Sequence, residues 1–146
     1  MMFFGKCTLP LSEKSQLTLP SNYREAMSNV AYITQGFDRN LILLSKQAFN
    51  TIYSYIKATS ISDPLARLLS RLILGSTAEI AIDNLGQIEL PLNLCEYAGL
   101  DKEIIIVGQG EYSEIWSPAL WQKQIDSLNE FDGNTHRFEK FNVSLT

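Results

Sequence analysis

The chain is poor in the residues from which reactive centres are built. It has one histidine, His136, and two cysteines, Cys7 and Cys95, in 146 residues. His136 lies in a polar tail with no cysteine cluster beside it, so no metal site is expected. A Ser–His–Asp arrangement has only this lone histidine to draw on, and an enzyme reading finds almost no support; no cofactor is expected. No apolar run approaches the length that spans a bilayer, and Lys6 interrupts the short apolar start. Two cysteines without a secretory signal read as reduced thiols in the cytosol, where the sequon Asn142-Val143-Ser144 is a chance match.

Positive charge is also scarce, and it is scarce unevenly. The net charge is −4. Residues 1–58 carry six Lys or Arg against three acids, and residues 59–74 add a balance of +1. Residues 75–146 carry four basic residues against twelve acids, a balance of −8. A polyanion that binds this chain should therefore prefer its first part.

What the chain does have is a duplication. The stretch Ile82-Asp83-Asn84-Leu85-Gly86-Gln87-Ile88-Glu89-Leu90-Pro91 repeats Leu11-Ser12-Glu13-Lys14-Ser15-Gln16-Leu17-Thr18-Leu19-Pro20. Each copy places an apolar residue, four polar or flexible residues, a Gln, an alternating strand pattern and a Pro. Asp83, Asn84 and Gly86 form turns, and Ile88 and Leu90 alternate around Glu89 as in a half-buried strand. Each copy is thus a strand, a tight loop and a returning strand.

The remaining elements follow the same order twice. Residues 1–11 read as a strand, and residues 21–27 as a two-turn helix with Tyr23 and Met27 on one face. Strands at 30–34 and 41–44 flank Gly36-Phe37-Asp38-Arg39-Asn40, and Ser45 caps a helix with Phe49, Ile52, Tyr53 and Ile56 on one stripe. The second pass has a strand at 78–82, a helix at 92–98 stopped by Gly99, strands at 104–107 and 114–116, and a helix from Ser117-Pro118 bearing Trp121, Ile125 and Leu128. Phe49 and Trp121 match if one residue slips in between the short helix and the hairpin. Between the passes, Asp63 and Pro64 open a helix striped with Leu65, Leu68, Leu69, Leu72 and Ile73 and stopped by Gly75. Arg67 and Arg71 lie on its other side, as solvated or intersubunit-paired residues in preference to DNA contacts. These elements predict a first repeat at 1–58, a central helix and linker at 59–75, a second repeat at 76–128 and a loosely held tail at 129–146, in which Asp132-Gly133-Asn134 marks a turn.

Several local strings go beyond the loops: Tyr23-Arg24-Glu25, Asp63-Pro64-Leu65-Ala66-Arg67, Leu74-Gly75-Ser76-Thr77-Ala78-Glu79, Tyr97-Ala98-Gly99-Leu100-Asp101-Lys102-Glu103 and Val107-Gly108-Gln109. In these, over roughly residues 3–128, the chain resembles the MraZ family, tandem pairs of AbrB-like (SpoVT-AbrB) units. The resemblance implies an α+β fold, a duplicated swapped-hairpin β-barrel formed as a pseudo-dimer within one chain. It also implies a ring-shaped homo-oligomer, cytoplasmic and nucleoid-associated, that binds double-stranded DNA at promoter repeats and regulates bacterial division and cell-wall genes.

The family's loop motif is Asp, three residues, then Arg. Here the first loop has Ser12 and Gln16 at those places, and the second has Asp83 and Gln87. Arg24 fits the family's basic position on the short helix, where the second repeat has Cys95. The DNA-binding candidates are therefore Lys6, Lys14, Gln16, Arg24 and Gln87. Gln contacts adenine edges or a phosphate oxygen, but releases no counterion. Two readings stay open: Gln16 and Gln87 are altered base readers, or they are polar residues that close the turn by side-chain-to-backbone bonds. Correspondingly, the chain is a DNA-binding regulator with weakened or altered contacts, or an AbrB-fold oligomer that acts through protein partners.

Overall fold

A computed structural model describes residues 2–130 and 137–141. The signals of His136, Asp132-Gly133-Asn134 and Asn142-Val143-Ser144 lie outside the described residues. Strands β1 (Lys6–Pro10), β2 (Gln16–Thr18), β3 (Val30–Gln35) and β4 (Leu41–Leu44) belong to the first pass, with helices α1 (Ser21–Met27) and α2 (Lys46–Ala58). Helix α3 (Pro64–Ser76) follows. Then come β5 (Ala78–Ala81), β6 (Gln87–Glu89), α4 (Leu92–Ala98), β7 (Glu103–Gly108), β8 (Ser113–Trp116) and α5 (Pro118–Leu128).

The strands make an antiparallel six-stranded sheet in the order β1-β7-β8-β4-β3-β5 and a two-stranded ribbon of β2 with β6. Each repeat lends its first strand to the other: β1 runs along β7, and β5 runs along β3. The β4–β8 and β2–β6 pairs also cross between repeats. This is the swapped pseudo-dimer, in a mixed α+β fold. Hydrogen bonding leaves β1 and β5 as the sheet's edges, so the two sheets enclose the core without a closed ladder. One core serves both halves, with Leu19, Ile33, Leu43, Leu90, Leu94, Ile104, Ile106 and Ile115 buried together.

Local chemistry accounts for the element ends. Ser45 and Ser117 accept bonds from Ala48 N and Leu120 N, and Asp63 Oδ1 accepts from Leu65 N; each satisfies a backbone donor left over at a helix start. Gly99 ends α4 in the left-handed region, at φ 65°. Helix α3 does not stop at Gly75: it includes Ser76, whose Oγ donates to Leu72 O, and Thr77 Oγ1 donates to Ile73 O. The expected first strand is shorter than 1–11. Gly5 turns the chain at φ 76° while its carbonyl accepts from Gly108 N, and Phe3 continues the pairing through a bridge to Gly110.

The expected one-residue slip resolves into two changes. Residues 28–29 join α1 to β3, whereas residues 99–102 join α4 to β7, an insertion of two. The β3–β4 turn then spans residues 36–40 and the β7–β8 turn residues 109–112, a deletion of one. Within the expected tail, Arg137 donates to the carbonyl of Ser127 at 2.7 Å, and Glu139–Phe141 form a short 3₁₀ turn.

A buried hydrogen bond ties the two repeats together at the centre. The hydroxyls of Tyr23 on α1 and Ser113 on β8 lie 2.6 Å apart, and both residues are buried. Burial pushes the Tyr23 phenol's pKa up, with the Ser113 bond pulling the other way. Tyr23→Phe leaves the Ser113 hydroxyl unpaired in the interior, and is expected to destabilise the fold by about 1–3 kcal/mol. Urea melts of the two proteins measure this; a loss below about 0.5 kcal/mol would mean that the bond contributes little.

Candidate nucleic-acid interface

The two duplicated loops come together at the ribbon. Each is closed by the same bonds. Ser12 N donates to Gln16 O and Ser15 N to Ser12 O; Asp83 N donates to Gln87 O and Gly86 N to Asp83 O. The side chains that complete the turns are Ser12 and Asp83. Ser12 Oγ accepts from Gln16 N at 3.0 Å, and Asp83 Oδ1 accepts from Gln87 N at 2.8 Å and Leu85 N at 2.9 Å. Among the described residues the loop-closing bonds come from the backbone and from the side chains of Ser12 and Asp83, not from the glutamine side-chain amides. Among the described residues neither amide has a hydrogen-bond partner.

The ribbon fixes where those amides lie. Gln16 pairs with Glu89, Leu17 with Ile88 and Thr18 with Gln87. Side chains alternate across a strand, so Leu17 and Ile88 share the buried face. Gln16, Thr18, Gln87 and Glu89 share the other, the two glutamines half-buried and Thr18 and Glu89 exposed. This outward face carries an acid and no cation.

The loops also grip each other across the pseudo-twofold axis. Leu19 N donates to Gly86 O at 2.9 Å, and its counterpart Leu90 N donates to Ser15 O at 2.8 Å. Ser15 and Gly86 both hold positive φ, at 60° and 80°. What faces each of them differs. Arg24 reaches from the first repeat to Gly86 of the second, its Nε donating to Leu19 O at 3.1 Å. A Cβ on Gly86 would collide with that arginine's side chain. At the mirrored place Cys95 faces Ser15. Burial pushes the Cys95 thiol up, the Ser15 hydroxyl hydrogen-bonded to it pulls it down, and Glu96 adds to the rise. A large side chain thus meets a glycine, and a small one meets a serine.

That reciprocity is testable. Gly86→Ala adds left-handed strain of about 1–2 kcal/mol to the collision with Arg24. In the Arg24→Ala background the collision is gone and only the strain remains. A double-mutant cycle by thermal or urea melting is expected to give a coupling of about 0.5–3 kcal/mol. Additive losses would show that arginine and glycine do not depend on each other.

Of the sequence candidates, Lys14, Gln16, Arg24 and Gln87 are brought to one end of the molecule. Lys14 is exposed in the first loop, where the second loop has the exposed Leu85. Lys6 is not with them. It starts β1, about 20 Å along the strand from Ser12 at ~3.3 Å per residue, and its Nζ lies 5.5 Å from the Trp121 ring centre. Sequence reasoning missed the contact of Arg24 with the second loop. The paired differences, Arg24 against Cys95 and Gly86 against Ser15, each at the repeat's offset, were its only signal. Both cysteines are free thiols, Cys7 exposed and Cys95 buried. No described helix is long and apolar enough to cross a membrane.

Comparison with known proteins agrees with this architecture. A family model described as the antitoxin-like MraZ protein matches residues 2–72 and, a second time, residues 73–142. A protein of Thermomicrobium roseum named Transcriptional regulator MraZ is 37% identical over 127 residues, covering 87% of this chain and 89% of its own length. Proteins of that name from Herpetosiphon aurantiacus and Mycoplasma mobile are 33% and 34% identical, covering 87% and 90% of this chain and 89% of their own lengths in both cases. The tandem match and the swapped, duplicated fold show that the chain belongs to the MraZ family.

Proposed function

We propose that this protein is an oligomeric DNA-binding transcriptional regulator whose head is the β2–β6 ribbon with its two loops. The observation that carries the reading is the gathering of Lys14, Arg24 and both glutamines at one end of a two-stranded antiparallel ribbon, a shape that the major groove admits. Lys14 and Arg24 flank the ribbon and supply charge for phosphates, while the amides lie on its outward face. Phosphate contacts position a protein and base contacts give it specificity. The relatives' name supports regulation of transcription. The family resemblance points to promoter repeats upstream of division and cell-wall genes, and hence to a cytoplasmic, nucleoid-associated protein.

The assembly we propose is a closed ring of more than two copies. Its support is the apolar surface left bare by a single chain. Ile61, Leu65 and Leu68 are 85%, 72% and 60% exposed, and Phe37 beside them is 68% exposed. Repeated head-to-tail contacts between identical copies close into rings, and several weak heads on one body then act together.

A second reading has its own observation. Residues 72–101 contain no Lys or Arg, and the second loop has Asp83 and Glu89 about it. An oligomer with such heads could act through protein partners with little affinity for DNA. Binding to the DNA upstream of the protein's own operon, measured against salt, decides between them. Replacing Lys14 and Arg24 with Ala is expected to abolish tight binding and flatten the salt slope by roughly 1.8, at ~0.9 per phosphate contact. Lys6→Ala is expected to do less than either, and Lys102→Ala with Lys123→Ala little. Equal losses from all of these, or salt-independent binding, would remove the ribbon from the interface.

A further inference from the structure

We propose that the β2–β6 ribbon reads A·T base pairs, two of them two steps apart, with their adenines on opposite strands. This rests on the DNA-binding reading above and names the sequence class that the head selects. Three observations combine. The amides of Gln16 and Gln87 are half-exposed and have no partner within the described residues. They share a face that holds no cation, and on it Glu89 stands directly across from Gln16. They are related by the same pseudo-twofold axis that relates the two loops.

A face with a carboxylate and no cation is a poor grip for phosphate, which attracts cations and repels Glu89. It suits the groove floor instead. A glutamine amide both donates and accepts, which matches the N7 acceptor and N6 amino donor of adenine in the major groove. Guanine offers two acceptors there and leaves the amide oxygen without a donor. An arginine at either position would reverse that preference, because its fork donates only.

Spacing and symmetry narrow the site further. Gln16 stands opposite Glu89, and Gln87 is two residues along from Glu89, so the glutamines are diagonal neighbours, roughly 7–8 Å apart. Stacked base pairs rise about 3.4 Å each, so two steps, about 7 Å, match that diagonal. A twofold relation between the readers places the two adenines on opposite strands of the duplex.

The test is selection by the full chain from a library of randomised duplexes, followed by titrations at several salt concentrations, with duplexes compared at the same salt. The selected duplexes are expected to share two A·T pairs two steps apart. Exchanging either pair for G·C should weaken binding on the order of tenfold or more. Gln16→Ala and Gln87→Ala should each release the preference at one of the two pairs while leaving the salt slope unchanged, since no charge is removed. Binding by the wild type without A·T preference, or with G·C preference, overturns this inference and leaves DNA binding standing. Discrimination that survives both substitutions overturns the role of the glutamines. Retention of no duplex at 50 mM salt overturns the DNA-binding reading itself, and this inference with it.

Discussion

Arginine at both ribbon positions, Gln16→Arg with Gln87→Arg, is expected to strengthen binding to random duplex DNA and to make it far more sensitive to salt. If each new guanidinium gains one phosphate, each adds about 0.9 to the slope of log affinity against log salt. Two such contacts add about 1.8, so a fourfold rise in salt costs the variant roughly tenfold more affinity than it costs the parent. On a duplex selected for A·T pairs the same variant is expected to bind worse at high salt. It has lost two amide contacts that discriminate by about 1–3 kcal/mol each. The electrostatic compensation that hides this loss fades as salt rises. Titrations of both proteins on both DNAs at two salt concentrations separate the effects. If neither DNA responds to the substitutions, the ribbon does not face DNA and the regulator reading is withdrawn.

Charge on the open face of α3 should dismantle the assembly. Leu65 and Leu68 are exposed in the single chain although they stand on the helix's apolar stripe. Fully burying a leucine contributes about 1.5–3 kcal/mol, and a carboxylate in its place would have to be desolvated against the neighbouring copy. Leu65→Glu with Leu68→Glu is therefore expected to yield a folded monomer by light scattering, since Ile73, on the buried side of the helix, is untouched. On DNA carrying several repeats that monomer should bind about 10²- to 10⁴-fold more weakly through lost avidity. On DNA carrying one repeat its affinity should match the parent's. A variant that remains assembled would place the ring contact elsewhere, and a parent that is itself monomeric at micromolar concentration would end the ring proposal.

The sequence showed which parts repeat much better than it showed which parts touch. Helix ends were legible because capping is local chemistry: Ser45, Asp63, Ser117 and Gly99 stand where their side chains or backbone freedom are used. The exchange of β1 and β5 between repeats was not, because alternation in a strand says which face is buried and nothing about the partner. That expectation came from the family resemblance. Lys6 is a candidate on charge alone, and charge carries no position; the length of β1 separates it from the loops. Arg24 is a candidate through the family's short-helix position, but its contact with Gly86 joins residues 62 positions apart in sequence. The slip near residue 28 looked like one residue because an insertion of two and a deletion of one leave that net difference between Phe49 and Trp121.

The exchanged strands also set a timetable for synthesis. Strand β1 is made about a hundred residues before its partner β7. At roughly 5–20 residues per second the ribosome takes about 5–20 s to supply it. Through that interval β1 has no partner strand, the β3–β4 hairpin has none from the second repeat until β5 is made, and pairing with a neighbouring nascent chain offers the same hydrogen bonds. Chains translated close together on one message can therefore satisfy one another's hairpins. Slowing elongation after residue 75, or crowding ribosomes on that message, is the condition under which intertwined pairs of chains should accumulate at the expense of singly folded ones.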